Sequence, residues 1–157
     1  MEEKMHKVAK SLLVVSLLVG CIGSARAEMS REAQAIKVRQ GAYSMLSWYL
    51  GSMLRMAKGD EPYNRARFTH DAEALAFLSK LPNDAFIPGS DKGDTKASPE
   101  IWKNPDAFRL ASEKMETEAR KLADLAVHAE PSDLGDQLKQ VRQACKACHE
   151  DFKQRSN

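Results

Sequence analysis

"LGDQLKQVRQACKACHEDF", residues 134–152, decides how this chain folds. Leu134, Leu138, Val141, Cys145, Cys148 and Phe152 are spaced by four, three, four, three and four residues. That alternation is the period of an α-helix, so all six side chains fall on one stripe. An apolar stripe of this length has to be covered by other helices, and both cysteines point inward with it. His149 follows Cys145 by four positions and projects from nearly the same side. One helical turn therefore presents two thiols and an imidazole to a single interior site.

Working outward, the rest of the chain supplies partners for that helix. Ala33, Ile36, Tyr43, Leu46, Leu50, Met53 and Ala57 recur at helical spacing and predict a first helix from about Ser30 to Ala57. "KGDEPY", 58–63, breaks it through Gly59 and Pro62. A second helix is predicted from Asn64 to Leu81, with Phe68, Ala72, Leu75 and Leu78 on one face. "LPNDAFIPGSDKGDTKASPEIWKNP", 81–105, holds four prolines and two glycines and reads as one long connection. Asn104 before Pro105 reads as an N-cap opening a third helix to about Ala129, with Phe108, Ala111, Met115, Leu122 and Leu125 as its stripe. Pro131 ends the approach to the fourth, for which Ser132 is the expected cap and Lys153 the approximate end. No segment reads as a strand. Short first and last connections force neighbours antiparallel, so an all-α, up-down-up-down four-helix bundle is expected, with a three-helix globular domain as the weaker alternative.

Residues 1–27 stand apart. Lys4, Lys7 and Lys10, then "SLLVVSLLVG" and "ARA" at 25–27, have the order of a signal peptide with its cleavage site. The apolar run is too short to span a bilayer well. The expectation is cleavage after Ala27, leaving one domain over 28–157 that is soluble in the periplasm. "LVGC", 18–21, also resembles a lipobox, which would tether the protein through a lipidated Cys21. Loss of residues 1–27 takes four of the 24 basic and two of the 22 acidic residues and leaves the two signs equal. No basic footprint for nucleic acid is present. With Cys145 and Cys148 the only cysteines after Cys21, the chain is not a disulfide scaffold.

Two thiols three apart and an adjacent histidine suit covalent haem. The thiols add to vinyl groups along one edge of the macrocycle, and the imidazole reaches the iron as an axial ligand. C-x-x-C-H arises by chance in on the order of one in a thousand chains of this length. A redox dithiol belongs at a helix N-terminus, where the thiolate is stabilised, and this pair lies near a C-terminus. Structural zinc wants four ligands, and beside the two cysteines the chain after residue 27 offers only His70, His128 and His149. A disulfide across one turn leaves His149 without a role.

The other face of the iron then sets the chemistry, and Tyr43, Met45, Met53 and Met56 on the first helix are the candidates for it. A methionine there gives a low-spin electron carrier, whereas an empty face leaves iron open to small gases. "CKACHEDFK" at the C-terminus, "KVRQGAYSML" in the first helix, "KGDEPYN" after it and "IPGSDKGDTKASPEIW" in the long connection together resemble cytochrome c′, the high-spin class of periplasmic monohaem bundle cytochromes. The resemblance runs over nearly the whole chain after residue 27 and keeps order and spacing. It implies an antiparallel four-helix bundle, one haem c, and a homodimer formed through the first two helices. By motif it implies Cys145 and Cys148 as thioether positions, His149 as axial iron ligand, Arg39, Gln40 and Asp94 as haem contacts, and Lys153 as the basic residue of the proximal pocket. In the resembling family the position of Tyr43 divides low-spin members, which have methionine, from high-spin ones, which have leucine, phenylalanine or tyrosine.

A neutral phenol is a poor iron ligand beside a thioether, so Tyr43 is expected to pack over the distal face and leave iron five-coordinate. Two functions follow from different classes. The first is capture of small gases, chiefly nitric oxide and more weakly carbon monoxide, for buffering or detoxification. The second is electron transfer between periplasmic redox partners. Enzymatic turnover is not expected, since no residue pair looks arranged to deliver protons. Met53 and Met56 read as filler in the core or a dimer interface, Trp102 as a packing anchor, and His70 and His128 as surface residues.

Overall fold

In the computed structural model, which describes residues 28–154, the chain is built of helices alone apart from one isolated bridge. The signal peptide, the Ala27 cleavage and the lipobox cysteine lie outside the described residues. Helix α1 spans Arg31–Lys58. The Ser30 hydroxyl accepts from the Ala33 amide at 3.2 Å, and Gly59 ends the helix in the left-handed conformation with φ 80°, which glycine adopts without a Cβ clash. Helix α2, Arg65–Leu78, is capped by Asn64, whose side chain accepts from the Arg67 amide at 3.0 Å. The six residues between them leave no choice but an antiparallel pair.

The connection is more structured than its composition suggested. It holds a single 3₁₀ turn, Asn83–Ala85, and a short helix α3, Glu100–Lys103. Helix α4 is Pro105–Ala126 and helix α5 is Pro131–Phe152. Asn104 stands at the N-cap of α4 with Pro105 first in the helix, as expected, but its side chain makes no capping bond and its amide donates to Glu100 Oε2 of α3 at 3.0 Å. One expected cap is corrected. Ser132 lies inside the first turn of α5, since Pro131 is already helical there.

Helices α1, α2, α4 and α5 form the bundle, so the four-helix architecture stands. Its core joins Leu46, Met53 and Met56 of α1 to Phe68, Ala72, Leu75 and Leu78 of α2, with Ala119 and Leu122 of α4 and Leu134, Leu138 and Val141 of α5. Met53 and Met56 are thus core residues. His70 and His128 are exposed. Side chains of α2 also finish α4: Thr69 donates to the Ala126 carbonyl at 2.9 Å and Arg65 to that of Ala129 at 2.8 Å, satisfying groups the helix end leaves open. Successive helices pack closely, α1 on α2, α2 on α4 and α4 on α5, whereas the closing seam between α5 and α1 is the loosest. That seam carries the site.

A polar tie crosses the α4–α5 pair. Glu118, 4 % exposed, receives Lys114 at 2.7 Å, Lys121 at 3.3 Å and the Gln137 amide at 2.8 Å. The hydrogen bonds from Lys114 and then Gln137 bring its pKa down to about 2. A carboxylate whose folded pKa lies below its unfolded value of about 4.3 stabilises the fold above that value and loses the contribution as pH falls toward its folded pKa. Glu118→Gln is expected to lower unfolding free energy by about 1–2 kcal/mol at pH 7 and by almost nothing near pH 2. Denaturant titrations at the two pH values check it, and equal losses at both would mean the charge is irrelevant.

Candidate functional site

Cys145 and Cys148 lie within one turn of α5, both half-buried and not joined to one another. They face different surroundings. Cys145 packs on the main core, whereas Cys148 packs on a second apolar group formed by Ile101, Phe108 and Phe152. That group is edge-on aromatic: Phe108 stands 5.3 Å from Phe152 and 4.7 Å from Phe86, centroid to centroid. Burial raises the Cys145 thiol pKa and pushes that of Cys148 up to about 11, with the neighbouring Cys145 adding to the second shift. Both sulfurs are therefore held as neutral thiols in apolar surroundings. Among the described residues no group of three or more His, Cys, Asp and Glu is placed to hold a metal ion.

His149 is exposed on the same helix, beside a cleft of about 420 Å³ lined by Leu50 of α1 and by Arg142, Cys145, Lys146, His149 and Glu150 of α5. Partial burial lowers its pKa, and the charge of Lys153 lowers it further. The imidazole is thus kept neutral, the form in which a ring nitrogen can bind a metal. Tyr43 comes to the cysteines from α1. Burial is the main cause that raises its phenol pKa, and the charges of Cys148 and Cys145 add to it while Arg39 opposes. Tyr43 keeps 38 % of its surface open, and both thiols lie near enough to act on its charge. Of the methionines weighed for that face, Met53 and Met56 lie in the core and Met45 is 45 % exposed.

Arg39, expected as a haem contact, is buried against the long connection. It is 3 % exposed, and its two terminal nitrogens are taken up by the connection. Nη1 donates to the Ala85 carbonyl at 3.1 Å and to Ser90 Oγ at 2.8 Å, and Nη2 donates to the Ser90 carbonyl at 2.5 Å and to Thr95 Oγ1 at 2.8 Å. The guanidinium also lies 4.8 Å from the Phe86 ring centre and 5.8 Å from that of Trp102. Gln40, next in the chain, donates to the Asp94 carbonyl at 2.8 Å, so Arg39, Gln40 and Asp94 do meet on one seam. Trp102 anchors packing, its indole N–H donating to the Ile87 carbonyl at 3.1 Å. Lys153 follows the last residue of α5 and is exposed.

Sequence reasoning did not single out Ser90, Thr95 or Phe86 for the site. Phe86 is a lone aromatic in an irregular segment, with no periodicity to mark its direction. Phe152 carried a signal, as the last member of the α5 stripe.

The profile of one protein family, Cytochrome C′, matches residues 34–153, from the first turns of α1 to the end of α5. The chain belongs to the cytochrome c′ family. It is 30% identical over 129 residues to cytochrome c′ of Rubrivivax gelatinosus, covering 82% of this chain and all of that one. The structure of cytochrome c prime from Shewanella frigidimarina superposes with TM-score 0.78 at 33% identity, over 81% of this chain and 99% of that one. A nitric oxide complex of a mutant cytochrome c prime from Alcaligenes xylosoxidans superposes with TM-score 0.76 at 31% identity, over 82% of this chain and all of that one.

Cytochromes c′ carry one covalently bound haem c with its iron, and that is the cofactor of this chain. The residues present fit it. Two unjoined, desolvated thiols on one stripe, a neutral imidazole beside them and a separate helix face opposite, across the loosest seam, are the parts that a haem edge requires.

Proposed function

We propose that this cytochrome binds small gases in the periplasm, chiefly nitric oxide and more weakly carbon monoxide, as a buffer or in detoxification. It acts by binding rather than by catalytic turnover. Cys145 and Cys148 would hold the haem through thioether bonds. His149 would supply the imidazole ligand to its iron, and Arg39, Gln40 and Asp94, the last two joined by their own hydrogen bond, would contact the group. The group supplies an iron atom with affinity for diatomic gases.

The observation that carries this reading is Tyr43 opposite the cysteines. Its pKa is raised mainly by burial, a cause that persists once the sulfurs are thioethers without charge. The phenol therefore keeps its proton across the physiological range, and a protonated phenol leaves the iron's distal position open. The ring still occupies space there, so an incoming ligand has to displace it, which favours small, strongly binding gases. The nitric oxide complex of the related protein from Alcaligenes xylosoxidans supports the same ligand class. Lys153, one turn beyond His149, supplies positive charge on the proximal side.

Val38, Met45 and Trp48 on α1 and Phe77 on α2 are 57, 45, 74 and 65 % exposed. Apolar exposure of that size supports a homodimer formed through these two helices.

The ferric protein is expected to give high-spin optical and electron paramagnetic spectra. A low-spin, methionine-type spectrum would instead favour the electron carrier between periplasmic redox partners. Tyr43→Ala is expected to speed gas binding by about tenfold or more, equivalent to about 1.4 kcal/mol or more off the barrier. Stopped-flow kinetics test it, and unchanged rates would mean the ring is no gate.

A further inference from the structure

The connection between α2 and α4 does more than join them. At one end it is bonded to the distal helix α1 through Arg39; at the other it is bonded to the last turn of α5, which carries His149. Thr95 joins the two ends. Its hydroxyl oxygen accepts from Arg39 Nη2 at 2.8 Å and from the Ala97 amide at 3.1 Å, using both acceptor positions. Ala97 bridges to Lys153. On either side of that bridge the Ser98 amide donates to the Phe152 carbonyl at 2.9 Å and the Gln154 amide to the Lys96 carbonyl at 2.8 Å. The Gln154 side chain adds a bond to the Ala97 carbonyl at 2.8 Å, and the Lys153 amide closes on the His149 carbonyl at 3.3 Å. The two backbone bonds that form this bridge, together with the Thr95 hydroxyl and the backbone of 96–98 and 152–154, thus connect a buried guanidinium on α1 to the last turn of α5 and to the His149 carbonyl.

Helix α5 needs this support. Its C-terminal carbonyls have no partners within the helix, and Lys153, in extended conformation, is no left-handed glycine cap. The strap satisfies the Phe152 carbonyl in place of a cap. We propose that Arg39 is a positioning residue for His149, acting through Thr95 and residues 96–98 to fix the last turn of α5 and with it the direction of the imidazole. The inference rests on the reading of His149 as the iron ligand. Under it, the residue one turn before the distal Tyr43 also sets the geometry on the opposite side of the iron.

The test uses the full-length haem-loaded cytochrome with Thr95→Val, Thr95→Ser and Arg39→Lys. Two signals are read: the iron–imidazole stretching band of the ferrous protein by resonance Raman, and amide exchange at 152–154. Thr95→Val removes the relay's acceptor and leaves the other three Arg39 bonds in place. It is expected to shift or broaden the band and to quicken exchange by about tenfold. Thr95→Ser keeps the hydroxyl and restores both, and Arg39→Lys, lacking the fork, behaves like Thr95→Val. A Thr95→Val protein whose band is unmoved overturns the inference, whatever its melting temperature or exchange. A colourless wild-type product in a host that matures c-type cytochromes removes the haem reading and this inference with it; a coloured one with an unmoved band removes this inference alone.

Discussion

Tyr43→Met is expected to convert the ferric iron from high-spin to low-spin, the largest single change any one substitution should make to this cytochrome. Tyr43 lies on α1, and burial, with the cysteines of α5 adding to it, raises its phenol pKa. Methionine at the same place brings an unbranched thioether on three rotatable bonds, a donor that needs no deprotonation. With His149 on one side and sulfur on the other, iron acquires two strong axial ligands and its reduction potential rises. Gas binding then has to break an iron–sulfur bond and slows accordingly. Electron paramagnetic resonance reads the spin state, and a variant that stays wholly high-spin would show that α1 does not bring this position within reach of the iron. The same result would remove the assignment of Tyr43 to the distal face, since size alone does not prevent methionine from reaching where tyrosine does.

Phe68→Ala is expected to cost about 3–5 kcal/mol, a large part of the 5–15 kcal/mol typical of a domain. Phe68 is 1 % exposed in the middle of the core, with the Tyr63 ring 5.9 Å away and Met53 and Leu134 in the same buried group. Removing the ring takes its transfer free energy and leaves a void that close-packed neighbours only partly fill. For a chain of this size the melting temperature should fall by about 10–20 °C. Phe68→Leu retains most of the volume and should lose a fraction of that. Thermal unfolding of the two variants under one haem-loading condition decides it, and a fall of only two or three degrees for alanine would place the core elsewhere.

The helices were legible because burial and period coincide. The stripe from Leu134 to Phe152 and the face Phe68, Ala72, Leu75 and Leu78 became buried or half-buried surfaces of α5 and α2. Helix α1 was read less well. Its buried face includes Ala35, Arg39, Ala42, Ser52 and Met56, while Ala57, counted in its stripe, is exposed. Arg39 is the instructive case. A guanidinium on a helix is ordinarily solvated, and its burial here depends on partners 46 to 56 residues away in the chain. Neither Ser90 nor Thr95 announces that role, because a small hydroxyl residue in a loop is compatible with almost any surroundings. The short helix Glu100–Lys103 escaped notice between prolines, and it is also why the Asn104 side chain, at the N-cap of α4, bonds back to Glu100.

By itself the sequence determined the helical period, the order of the four long helices and the two thiols and imidazole on one turn, all properties of neighbours within a few residues. Helical geometry projects such neighbours in known directions whatever surrounds them. Only the tertiary structure decided which seam of the bundle stays loose, that Met53 and Met56 go to the core, and that Arg39 is buried to tie the connection to α1. Those outcomes depend on side chains separated by tens of residues, whose meeting is set by how whole helices pack.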